Sequence, residues 1–375
     1  MRSAAKSRFK IPTVRYCCLH KERLWIQERK RKNALDKVIE KSRVHLYKPI
    51  QIAEILYRAR TDKSLDLLDL EQYRTKSKKW RDDMSMPLLG RICTSSAKFQ
   101  DNLFDENAIP PRILNELGKE NARTNGAVEA YIYSSFTEKH SQLSHSLDYC
   151  LNADTKTFDV KKFIETFWSE PGLRRSLDKV YEIIVYALFS TIVDTLNFQV
   201  TLSVAEDKID ILREFEDFAD KVMRVDCRNP TFIQDAKVYR MGVTNAADRG
   251  LDMYSNWGPA IQIKHLSLSV ELAENIVSSI SSDKIVIVCK DAEKDIILSL
   301  LTQIGWRCHI QSIVTESNLI EWYEKALRGK YADKMGEKLL DVLRVEIGDE
   351  FPSVRALPDA LKERHYERID DDFWR

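Results

Sequence analysis

Glycine and proline are scarce, together 21 of the 375 residues, which excludes collagen-like repeats and linker-like chains. No apolar run reaches the roughly 18 residues that span a bilayer. The longest stretch, Ile183 to Val193, is interrupted by Tyr186, Ser190 and Thr191 and ends at Asp194. No membrane partner is expected. The opening Met-Arg-Ser-Ala-Ala-Lys carries charge but no apolar stretch behind it, so no secretory signal is expected. The seven cysteines are scattered and odd in number, and only Cys17 and Cys18 are close. Adjacent cysteines make poor disulfides, and no Cys/His spacing suits zinc. These absences describe a reduced, cytoplasmic protein without structural metal.

What remains is ordinary for a folded protein: 43% hydrophobic and 31% charged residues, enough for a core in two or three domains. The formal charge of +1 conceals an asymmetry. Residues 1–50 hold fifteen Lys/Arg against four Asp/Glu, a net of +11, which leaves −10 for the other 325 residues. The densest block, Gln27 to Lys32, suits a polyanion, because each phosphate contact releases counterions. A solvated tail has the same composition. A second basic stretch, Arg74 to Arg81, combines Lys78, Lys79 and Arg81 with Trp80 and small hydroxyls. That mixture fits phosphate clamping or a solvated helix end.

Residues 21–60 predict helix from apolar residues at three- and four-residue steps, with Pro49 marking a second start. Asn107 to Gly118 predicts a short helix entered by proline and closed by glycine, and 124–150 predicts another. The pattern changes after Pro171-Gly172. A strongly apolar helix is expected over 176–196, a half-buried strand over Phe198–Val204, and a helix with acidic and apolar faces over 206–223. Strand-like segments follow near 238–243, 251–254, 260–266, 284–289 and 308–314. Helices are expected over 269–282, 292–304 and 318–327, and the last 48 residues read as helical and then irregular. The order predicts an α/β fold with a mixed sheet behind an all-helical N-terminal region.

The segment that carries chemistry runs from Asp248 to His265. Its two strand-like pieces flank a Gly-Pro turn. An antiparallel hairpin centred near Trp257 would set Asp252 across from Gln262 and Ile263. Alternation would put Gln262 and Lys264 on one face and Ile261 and Ile263 on the other. A lysine in an apolar strand needs an answering charge, and Asp252 supplies one. The expectation is a carboxylate, an amide and a lysine converging at one edge of a sheet. Phosphodiester hydrolysis uses this set. Asp252 would be a metal ligand, with Gln262 and the Ile263 carbonyl as neutral ligands and Lys264 as the catalytic lysine. Glu182, in the preceding helix, is a candidate to complete the metal shell. Asp248 could serve instead or cap the turn, and His265 reads as packing. An ordinary Asp–Lys pair in a structural strand would show the same letters.

The segments Val180–Ser190, Asn245–Asp252 and Gly258–Leu266 resemble the PD-(D/E)xK nuclease superfamily, in the variant where Gln262 replaces the second acidic residue. More closely, the chain is similar to type II restriction endonucleases of the HaeII type, with Lys79–Asp82 and Gly90–Asp101 also family-like. The resemblance implies a restriction-endonuclease-like mixed-sheet core flanked by helices. It also implies Mg2+-dependent cleavage of both strands of double-stranded DNA at a short, GC-rich, roughly symmetric site. A homodimer in a bacterial cytoplasm, with a DNA methyltransferase encoded nearby, would be the setting. Arg91, Ser95, Ser96 and Lys98 in the Gly90–Asp101 segment, with Arg249 beside the hairpin, join Lys78, Lys79 and Arg81 as candidate DNA contacts. Thr94-Ser-Ser also reads as a plain helix cap. By role, the chain divides into a basic helical DNA-binding region at 1–170, a catalytic core at 171–328 and a helical extension at 329–375. An Mrr-like, repair or junction-resolving nuclease, or a non-catalytic DNA-binding protein on a degenerate core, are the alternatives.

Overall fold

The structure, a computed structural model, describes residues 29–93, 96–241, 251–264, 284–291, 310–352 and 359–369, together with 294–295, 298–299, 371, 373 and 374. Two compact units divide the chain. One comprises Met1–Cys93, Ala97–Thr137 and Ala356–Arg375, and the other Thr94–Ser96 and Glu138–Arg355. These packing boundaries differ from the division by role drawn at 170 and 328. The expected helices over 269–282 and 292–304 lie wholly or mostly outside the described residues, as do Ser95, Asp248, Arg249 and His265.

The first unit is helical throughout its described residues: α1 (29–41), α2 (Tyr47–Thr61), α3 (Lys76–Leu89), α4 (Ala97–Asp101), α5 (Pro111–Arg123) and the start of α6 (Ala127–Asn152). Pro49 lies in the first turn of α2, where a missing N–H is tolerated. Every residue from Pro49 to Leu56 is buried, so α2 is surrounded and its polar side chains need partners. Gln51 Nε2 donates to Ser77 Oγ at 2.9 Å. Glu54 accepts from Tyr133 Oη at 2.6 Å and pairs with Arg364 at 2.7 Å. Thus the end of the chain returns to brace the helix near its start. Helix α5 begins at Pro111 as expected but runs through Gly118 to Arg123. A Cβ at position 118 would lie 2.3 Å from Leu67 Cδ1, so this glycine admits a neighbouring side chain instead of ending the helix.

The second unit holds α7 (Val160–Ser169), α8 (Leu177–Leu196), the strands, α10 (Glu316–Arg328) and α11 (Ala332–Glu350). Val180, Ile183, Ile184, Ala187 and Leu188 of α8 are fully buried, and Tyr323 Oη donates to the Ile184 carbonyl at 2.8 Å. The main sheet has the order β3 (Val238–Arg240), β4 (Met253–Ser255), β5 (Ala260–Lys264), β6 (Ile285–Cys289), β7 (Ile310–Thr315). Strand β4 runs antiparallel to both β3 and β5, and β5, β6 and β7 run parallel to one another. The sheet is mixed, as the element order predicted. Strand β5 is central instead of at the sheet's edge, because the apolar β6 pairs along its other side.

Between α8 and β3 the chain makes an excursion. Strands β1 (Gln199–Ser203) and β2 (Thr231–Asp235) form a separate two-stranded sheet. They enclose helical turns at α9 (Ile209–Glu214), Glu216–Phe218 and Ala219–Met223. The strand read at Phe198–Val204 exists, but four of its five residues are exposed instead of half-buried. Its partner β2 has only Phe232-Ile233 as apolar signal and escapes a reading by periodicity.

Candidate active site

The β4–β5 hairpin forms as its turn chemistry demands. Gly258 takes φ 122°, open to glycine and disfavoured for other residues. Met253 pairs with Ile261 and Tyr254 with Ala260, so the next position outward sets Asp252 opposite Gln262. The side chains meet there. Asp252 Oδ2 accepts from Gln262 Nε2 and from the Ile263 backbone N–H at 2.7 Å. Asp252 is also fixed through its carbonyl, which accepts from Met241 N at 2.9 Å. Three of the expected site residues are therefore together. Lys264 closes β5 opposite Cys289, and its side chain lies outside the described residues.

Gln262 is fully buried, and its Oε1 has no hydrogen-bond partner among the described residues. An unanswered buried acceptor costs about 1–3 kcal/mol. It lies on the amide whose nitrogen already holds the Asp252 carboxylate. Two oxygen donors, one charged and one neutral, thus adjoin each other, and oxygen donors suit a hard divalent cation such as Mg2+. Among the described residues no three His, Cys, Asp or Glu are grouped so as to hold a metal. The donor set fits an oxygen-bound cation and brings little charge of its own.

Glu182 is not brought to this place. The register puts Val238, Arg240, Met253 and Ile261 on one face of the sheet, and Asp252 and Gln262 on the other. Glu182 belongs to the Arg240 face. It pairs with Lys179 at 2.5 Å and with Arg240 at 3.5 Å. Arg240 also meets Glu346 at 2.7 Å and Glu350 at 3.7 Å. Burial by itself lowers the Arg240 pKa, but the surrounding carboxylates outweigh it and hold the guanidinium above its usual value. The cluster ties α8, β3 and α11 together. An apolar cavity of about 390 Å3, bounded by Ile192, Val238, Ile261 and Trp322 among others, opens on this same face and offers no acid–base group.

The basic candidates divide by exposure. Lys79, Ser96 and Lys98 are exposed. Lys78 pairs with Asp101 at 2.8 Å, and Arg91 is half-buried against His45. Arg81 is 2% exposed, paired with Asp82 at 2.7 Å and donating to Gln100 at 3.1 Å. Its charge is answered inside the helical unit, and its side chain is turned away from solvent, unlike the exposed Lys79 and Lys98. One feature had no motif to announce it. Tyr239 and Tyr254 are cross-strand partners, stacked with centroids 5.0 Å apart and about 40% exposed. They share the face of Asp252 and Gln262. Only the register of β3 on β4 reveals the pair.

A sequence model of the HaeII restriction endonuclease family matches residues 31–366. The type II restriction enzyme HaeII of Haemophilus aegyptius is 57% identical over 342 residues, 91% of this chain and 97% of that enzyme. The type II restriction enzyme NgoBI of Neisseria gonorrhoeae is 56% identical over 336 residues, 90% of this chain and 95% of that enzyme. No solved structure matches the chain.

Proposed function

The chain belongs to the HaeII restriction endonuclease family, and from that premise we propose that it is a type II restriction enzyme working through the Asp252–Gln262–Lys264 hairpin. Its substrate is double-stranded DNA, cut on both strands at a short, GC-rich, palindromic site. Its core is of the PD-(D/E)xK kind, with Gln262 in the second acidic position.

The observation that carries this reading is the buried Gln262 amide bonded to the Asp252 carboxylate, with an Oε1 that no described residue answers. These two groups, with the Ile263 carbonyl, would hold Mg2+. When bound, the ion lowers the pKa of a water and neutralises charge on the phosphate oxygens. The protein's own part is preorganisation. The Ile263 N–H and the Gln262 amide fix Asp252 Oδ2 before substrate arrives. Strand alternation places residue 264 on the face of residue 262, where the Lys264 ammonium would orient the water and stabilise charge growing on the phosphate. The Glu182 carboxylate, expected to complete the shell, is left with the sheet-bracing ion pairs.

Lys78, Lys79, Arg91, Ser95, Ser96, Lys98 and Arg249 are the candidate phosphate and base contacts. The stacked Tyr239 and Tyr254 offer a flat apolar surface on the cutting face. A symmetric site is matched by two copies of the chain, one for each strand. The reading implies a bacterial cytoplasm and a methyltransferase encoded nearby to shield the cell's own sites.

Incubating the purified protein with unmethylated phage DNA and Mg2+ tests the proposal. Discrete, reproducible fragments are expected. Absence of cutting with both Mg2+ and Mn2+ on several substrates contradicts it, and cutting without fixed fragments favours the repair or Mrr-like reading.

A further inference from the structure

The excursion between α8 and β3 carries far more exposed apolar surface than its length warrants. Among the described residues, nine of the twenty exposed large hydrophobics fall in 196–236. Four form one stripe: Ile211 (57% exposed), Phe215 (57%), Phe218 (57%) and Val222 (64%). Their steps of four, three and four residues are the spacing of one helix face, carried at its end onto the wider π turn of Ala219–Met223. The helical path persists across the irregular turn at Phe215. Phe215 N donates to Ile211 O at 3.2 Å, and Ala219 N to Phe215 O at 3.0 Å. A different face of these turns, with Leu212 and Ala219, packs on Val225 and Phe232 inside the excursion. The stripe is therefore a second apolar face, beyond what the excursion's own core uses.

Its charge argues against nucleic acid as the occupant. Residues 199–236 hold nine Asp/Glu and five Lys/Arg, a net of −4, which repels phosphate. Its pattern points to a copy of itself. Read in either direction, the stripe is β-branched aliphatic, Phe, Phe, β-branched aliphatic, with the same spacing. A two-fold contact needs this property, because residue i must meet j while j meets i. Two such helices crossing antiparallel would set Phe215 against Phe218 and Ile211 against Val222, twice over. The flanks complement as well. Glu214 has no ion-pair partner among the described residues, and Lys221 makes only an exposed pair with Asp217 at 2.7 Å, worth little by itself. In the antiparallel arrangement Glu214 of each copy faces Lys221 of the other. The four side chains offer on the order of 500 Å2 per copy, roughly 1,000 Å2 for the pair, the lower bound for a specific interface before the surrounding apolar residues add to it.

We propose that residues 199–236 are the arm through which two copies of this chain dimerise, with the Ile211–Phe215–Phe218–Val222 stripe at the two-fold axis. This deepens the reading of a two-strand cutter, since each chain supplies one hairpin site, and it rests on that reading for its biological purpose. The test compares the full-length protein with F215E/F218E by analytical ultracentrifugation, with circular dichroism as a check on folding. The wild type is expected to be dimeric, and the variant's dimer dissociation constant to rise on the order of a hundredfold or more. A charge exchange guards against a misfolded variant. E214K and K221E should each weaken self-association, whereas the E214K/K221E protein, or an equimolar mixture of the two single variants, should restore it. A dimeric, folded F215E/F218E protein, a monomeric wild type, or a failure of the charge exchange to restore association overturns the arm. Plasmid cleavage separates the two proposals. A wild-type dimer broken by the stripe variant but unable to cut DNA keeps the arm and discards the nuclease, and a cutting dimer indifferent to the variant does the reverse.

Discussion

The two faces of the central sheet treat buried polar groups in opposite ways. On one, Arg240 is enclosed by Glu182, Glu346 and Glu350, with Lys179 adding a second cation to Glu182. On the other, Asp252 and Gln262 hold each other while no described residue answers Gln262 Oε1. Both arrangements remove polar atoms from water, which costs free energy unless it is compensated. The first answers a buried cation with carboxylates of the same chain, Glu350 at the longer distance of 3.7 Å, and ties three elements together. The second leaves an acceptor unanswered among the described residues, beside a carboxylate, which is the arrangement a cation could complete. The lesson is that a buried carboxylate is not a catalytic signal until its partners are counted.

Substitutions can break this contrast. The largest effect is expected from Lys264→Ala, which should lower single-turnover cleavage by about a thousandfold or more, equivalent to about 4 kcal/mol of barrier, with little change in melting temperature. Retained cutting would move the site elsewhere. Arg240→Ala should show the inverse profile. Leaving its carboxylates buried without a counter-charge should cost about 3–5 kcal/mol of stability in a denaturant titration. A fully stable variant would mean that the cluster does not brace the sheet. Gln262→Glu sharpens the comparison further. It places a second carboxylate beside Asp252, so the metal-free protein should melt lower than wild type and gain more from added Mg2+. An equal Mg2+-induced shift in both proteins would deny Gln262 a place at the ion. The smallest effect is expected from deleting residues 1–28, which removes seven Lys/Arg. Nonspecific DNA binding should then fall less steeply with salt, and an unchanged slope would mark that segment as a solvated arm.

Much of this was legible in the chain. The hairpin announced itself through two alternating segments and a Gly-Pro turn, and its parity alone set Asp252 opposite Gln262. The buried strand Ile285–Cys289 was equally plain from its composition. What escaped depended on partners remote in sequence. Glu182 looked available because the arginine that occupies it is 58 residues away. Arg81 looked like a phosphate contact because nothing in the basic stretch reveals that α3 turns it inward onto Gln51 and Gln100, with the adjacent Asp82 answering its charge. Gly118 read as a helix end, and only the crossing of Leu67 shows its use. The stacked tyrosines required a register across residues 242–250. In the excursion the first strand and the helical stretch were legible, whereas the exposure of that strand and the whole of β2 were not, since an amphipathic pattern marks an apolar face without saying what covers it.

The most direct test is Asp252→Asn, which keeps the size of the side chain and removes the charge that would hold the cation. Cleavage of a cognate duplex in Mg2+ should be measured beside binding of the same duplex in Ca2+. No cutting with binding near the wild-type level is the expected result, and cutting at the wild-type rate would contradict the assignment of this hairpin as the place where DNA is broken.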